Sequence, residues 1–179
     1  MKADAIEIID VPVLQFIIFQ GKSSLDWTGL PEQGGWVISK IVNQIKRITK
    51  ETLGYQFKLM PAEYIWHKKH DDGQWSFTQF MQVPDIVTYD MYDKAKSLVD
   101  KRYIDQLVPV TRFISEKQGL CAQKLHRGHH YECHLTFDEI VEYINQKGYK
   151  IRGERREILV NWCSPISDRW STIVRVPIE

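Results

Sequence analysis

Apolar residues change their period several times along the chain, and each change marks an element. Val13-Leu14-Gln15-Phe16-Ile17-Ile18-Phe19-Gln20 is almost continuously apolar and rich in β-branched and aromatic residues, which predicts a two-sided buried strand closed by Gly21. Lys22 to Gly35 holds three glycines and a proline and reads as a long loop. Val37, Ile38, Ile41, Val42, Ile45 and Ile48 then recur at helical steps, predicting an amphipathic helix to about Thr52 with Gly54 as its stop. Strands are expected over 56–68 and 74–83, joined by the hairpin signal Asp72-Gly73. Thr88 caps a second helix running through Met91, Ala95, Leu98 and Val99 to about Arg102. A strand over 108–115, interrupted by Pro109, is followed by another over 119–127. Thr136 and Glu139 form a capping box for a third helix that stops at Gly148, and runs 150–161 and 170–176 close the chain as an antiparallel pair.

The pattern repeats. Gly148-Tyr149-Lys150 to Glu157-Ile158 has a weaker copy 94 residues earlier, in which Gly54, Tyr55 and Glu63 coincide with Gly148, Tyr149 and Glu157. Each copy leads to an apolar run that opens on Trp-Ser (Trp75-Ser76, Trp170-Ser171) and closes on Val-Pro (Val83-Pro84, Val176-Pro177). The expected fold is α+β: tandem duplicated β-α-β-β modules, an antiparallel sheet with helices on one face, and a ligand cleft between the halves. The halves are expected over about 12–84 and 108–178 of one domain, linked by a helix over about 85–103. If Ile158 and Val160 face the helices, alternation places Glu157, Leu159 and Asn161 on the opposite face, and the repeat adds Glu63 and Ile65 to it.

Charge and cysteine content narrow the function. A net charge of +1 gives no general field for phosphate, and about twelve residues before the first strand leave no room for a helix-turn-helix, so direct nucleic-acid binding is not expected. Three cysteines, Cys121, Cys133 and Cys163, without CxxC spacing fit a reducing, cytoplasmic setting, and no apolar run is long enough to span a bilayer. His126, His129, His130, Cys133 and His134 crowd nine residues but lack HExxH or paired CxxC spacing, so they read as a loop at a pocket rim, with no metal or other cofactor expected. Glu157 differs in kind, being an acid in an apolar strand. It needs either a wet cleft or a cationic partner, for which Arg152, Arg155 and Arg175 are the candidates.

Three stretches in order carry a resemblance: Trp75 to Thr88 with its Pro84-Asp85-Ile86-Val87-Thr88, Leu125-His126-Arg127-Gly128, and Arg156-Glu157-Ile158-Leu159. Together they resemble the DNA gyrase inhibitor-like (GyrI-like) small-molecule-binding family, over most of the chain from about residue 55. The resemblance implies a cleft for small apolar, planar or cationic compounds with Glu157 as its polar anchor. It is similar to the drug-sensing half of multidrug-responsive activators, while stand-alone members point to hydrolytic opening of cyclopropane-bearing alkylating natural products. Family tyrosines are replaced here by His130, with Tyr131 one place later, and by Leu159. The expected ligand-binding residues are Glu157, Trp66, Trp75, His130, Tyr131, Glu63 and Leu159. Two alternatives stand beside a binding protein: a hydrolase with Glu157 as general base, and a module that binds a regulator or gyrase. The chain is expected to act as a monomer or homodimer.

Overall fold

The computed structural model describes residues 5–24, 36–106, 108–161 and 170–179. Its elements are β1 (Glu7–Ser23), α1 (Val37–Leu53), β2 (Ala62–Lys69), β3 (Trp75–Val83), α2 (Tyr89–Arg102), β4 (Thr111–Arg127), a 3-10 turn (His130–Glu132), α3 (Cys133–Gln146), β5 (Arg156–Asn161) and β6 (Ser171–Pro177). The class is α+β with antiparallel strands, and the order strand, helix, strand, strand occurs twice with α2 between. Most of the expected loop over 22–35, together with Trp162, Cys163 and the expected turn over 164–169, lies outside the described residues. The chain gathers into two compact units, one from 1–13, 61–68 and 117–179, the other from 14–60 and 69–116.

In the second of these units β1 pairs with β3 from Gln15 opposite Val83 to Ser23 opposite Trp75. Gly21 therefore lies inside the strand and does not end it. Its lack of a side chain leaves room for Phe19 and Phe77, since a Cβ here would come within 2.8 Å of the Phe19 ring. Helix α1 buries the predicted stripe of Val37, Ile38, Ile41, Val42, Ile45 and Ile48. It ends at Gly54, whose φ of 65° only glycine adopts readily and whose N–H closes onto the Lys50 carbonyl, while the Tyr55 N–H closes onto that of Thr49. Thr88 caps α2 by accepting the Met91 N–H at 3.3 Å, as its position predicts.

In the first unit the strands run β2, β5, β6, β4, each antiparallel to its neighbour. Helix α3 lies on β6, and Cys133, Ile140 and Ile144 pack with Ala122, Val174, Val176 and Ile178. Three expectations are corrected here. The separate strands at 108–115 and 119–127 are one strand, β4, which passes through Gly119 at φ 67°. Thr136 does not cap α3, because the 3-10 turn feeds the helix a turn earlier at Cys133 and the Thr136 hydroxyl is bonded to His126. β5 starts at Arg156 rather than 150. Residues 150–152 pair instead with the chain end, through Lys150–Glu179 backbone bonds, an Ile151–Ile178 bridge and Arg152 N–H to Pro177. Gly153 breaks the run where the chain passes the Pro177 ring, against which a Cβ would press at 3.1 Å.

Candidate functional site

Register decides which side chains can meet. Glu63 lies opposite Ile158 and Tyr64 opposite Glu157, so Tyr64, Trp66, Glu157 and Leu159 share one face while Glu63 and Arg156 share the other. The expectation that Glu63 and Glu157 share a face is therefore overturned. Residues equivalent about a two-fold between antiparallel strands must lie on one face, which requires an odd offset, and the repeat slips from 94 to the 95 that separates Trp75 from Trp170. The expected orientation of Glu157 is corrected as well. Glu157 lies opposite Val174, whose side chain belongs to the core under α3, so the carboxylate is on the helix-covered face.

There Glu157 is 3% exposed. The Trp66 indole Nε1–H donates to its Oε2 at 3.2 Å, and Arg155 approaches Oε1 at 2.9 Å. The ring of Tyr64 stacks on that of Trp66, with centroids 6.0 Å apart. The Arg155 guanidinium also lies over the Phe137 ring of α3, 5.3 Å from its centroid. Desolvation raises the Glu157 pKa above the ordinary carboxylate value, against the opposing pull of Arg155 and the Trp66 hydrogen bond. Burial and the Glu157 charge push the Cys133 thiol up, so it is no thiolate at neutral pH.

The turn after β4 supplies a column of rings. Gly128, at φ 128°, donates its N–H to the Trp170 carbonyl. His126 Nε2 lies 3.0 Å from the His129 carbonyl, which can only accept, so Nε2 carries the proton and Nδ1 accepts from the Thr136 hydroxyl at 2.9 Å. With the turn held in this way, His130 is buried against Trp170 at 4.8 Å, and Tyr131 stacks on His129 at 4.7 Å.

Of the predicted site residues, Glu157 and Trp66 are in direct contact, Leu159 shares their face, and His130 and Tyr131 adjoin one another in the same unit. Trp75 belongs to the other unit, opposite Ser23. Glu63 is engaged with Arg156 at 3.1 Å, both side chains being buried. Tyr64 was not among the predicted ligand-binding residues. The signal for Tyr64 was its place two residues before Trp66, on the same strand face. Among the described residues, cavities of about 450 Å³ (Ile18, Phe19, Gln20, Pro109, Val110, Arg112) and about 320 Å³ (Asn43, Lys46, Arg47, Lys50, Gln56) lie in the other unit and include no predicted site residue.

No protein-family model and no curated protein matches the sequence. Solved structures share the fold. An uncharacterized conserved protein from Listeria innocua aligns with a TM-score of 0.85 at 22% identity over 99% of this chain and 93% of its own. A hydrolase from Listeria innocua aligns at 0.84 and 23% identity over the same shares. The C-terminal domain of EcmrR aligns at 0.54 and 13% identity, over 98% and 97%. At these identities the likeness is one of fold. Among the described residues no helix is long and apolar enough to cross a membrane.

Proposed function

We propose that the protein is a small-molecule-binding protein of the GyrI-like kind, with Glu157 as the anchor for a planar, apolar cation. The observation that carries the reading is a single carboxylate, 3% exposed, set among aromatic rings and partnered by one indole N–H and one guanidinium. A buried carboxylate of this sort favours a partner that brings positive charge with little hydration to lose. Trp66 touches the carboxylate directly, so its emission reports occupancy. The test is titration with a panel of planar cationic dyes. Binding should quench tryptophan emission, and Glu157→Gln should weaken it by about 1.5–3 kcal/mol, the range for a hydrogen bond to a charged group. Unchanged emission across the panel, or equal affinity in the variant, would overturn the reading.

The raised carboxyl favours a second reading, hydrolysis, which the Listeria hydrolase of the same fold also supports. In it Glu157 takes the proton of a water whose oxygen attacks a strained cyclopropane carbon, while the electrons of the breaking ring bond pass into the conjugated acceptor. Glu157→Gln should then lower turnover of such a compound about 10²–10⁴-fold, far more than it weakens binding.

A further inference from the structure

Arg155 offers Glu157 what the proposed ligand would offer. It is a flat, delocalised cation with an N–H on a carboxylate oxygen at 2.9 Å and an aromatic ring, Phe137, beside it at 5.3 Å. The two partners of the carboxylate are held differently. Trp66 is on β2 and paired into the sheet, whereas Arg155 stands just before β5, two residues after Gly153, in chain with no regular structure. Its side chain is 28% exposed against 3% for Glu157, so it can leave for water where Glu157 cannot.

We propose that Arg155 is an internal occupant of the Glu157–Phe137 subsite, and that a ligand enters by exchanging its own planar N–H cation, of the amidinium or guanidinium class, for the Arg155 guanidinium. The inference rests on the reading of Glu157 as a ligand anchor. Exchange keeps the carboxylate paired at every stage, which matters because an uncompensated charge at that depth is costly. It also sets selectivity, since a cation without N–H donors cannot replace the bond that Arg155 gives up, and a neutral molecule leaves the carboxylate bare. The apparent affinity for any such ligand is lowered by the fraction of molecules in which Arg155 holds the subsite.

Benzamidine is the probe, with neutral benzamide as its control, measured by calorimetry at about pH 8, which favours the ionised form of a carboxyl whose pKa is raised. Arg155→Met keeps the apolar length of the side chain over Phe137 and removes the competing cation. Benzamidine affinity should rise about tenfold relative to the unmodified protein. Benzamide affinity should not change, and the gain should vanish in Arg155→Met/Glu157→Gln. If Arg155→Met does not fold, Arg155→Lys retains the charge but loses the planar fork, and a gain of severalfold is expected from it. Equal or weaker benzamidine binding in the folded single variant, or a gain that survives loss of Glu157, overturns the proposal. Should the unmodified protein bind cationic dyes in a Glu157-dependent way while Arg155→Met gains nothing, the exchange fails and the anchor reading stands. If neither protein binds any dye or benzamidine, both fall.

Discussion

Two glutamates that look alike in sequence have opposite electrostatic situations. Glu63 and Arg156 are both buried, so Glu63→Gln removes the negative charge facing a guanidinium held out of water and should cost about 3–5 kcal/mol in urea unfolding. Glu157 is partnered by the more exposed Arg155, and desolvation leaves its pKa raised. A carboxyl with a raised folded pKa binds more protons folded than unfolded. It therefore adds stability at low pH, and loses that contribution as the pH rises from the ordinary 4.5 through the folded value. Thermal unfolding of the unmodified protein and of Glu157→Gln should show the former losing ground from pH 4.5 upward. The reverse trend would mean that Arg155 and Trp66 outweigh desolvation. Glu157 itself was legible as an acid in an apolar strand. Its face was not, because alternation fixes which residues share a side but not which side the helix covers, and a one-residue slip in the repeat inverts every assignment drawn from it.

Helices were more legible than strands. The stripe of α1, the Thr88 cap and the Gly54 stop are local, set by residues within a turn of one another, and they stand where the sequence puts them, whereas α2 buries Ala95 and Val99 as expected but adds Tyr92 and leaves Leu98 exposed. The start of α3 was misplaced because Thr136 and Glu139 have capping-box spacing, yet the buried His126 ring claims the hydroxyl and the preceding 3-10 turn extends the helix. Gly21 read as a break for a similar reason. Glycine ends strands in isolation, but here cross-strand pairing continues past Gly21, and β4 continues through Gly119. Gly21 is kept for space, so Gly21→Ala should push the Phe19 and Phe77 rings apart and cost about 1–3 kcal/mol, read as a lowered denaturation midpoint with an unchanged slope. An alanine tolerated without loss would show that the two rings have room to yield.

On the scale of the whole molecule, charge argues about partners more directly than any single residue. Lysine and arginine number 24 against 23 acids, so no long-range field draws the chain to phosphate. Among the described residues, one group of bases, Lys46, Arg47 and Lys50, lines the cavity beside α1, and Arg47 already faces Glu51 at 3.8 Å. Neutralising at most three phosphates gives a log–log salt slope no steeper than about −3, and lac repressor's is about −10. Binding of that strength is lost among nonspecific sites at physiological salt. The expected result is that duplex DNA shows no mobility shift with micromolar protein at about 150 mM salt, and at most a weak shift with that shallow slope at low salt. A shift that persists with micromolar protein at about 150 mM salt, or a slope much steeper than three charges allow, would mean that cations from elsewhere in the chain join the patch, and the neutral balance would then be a poor guide to what this protein meets.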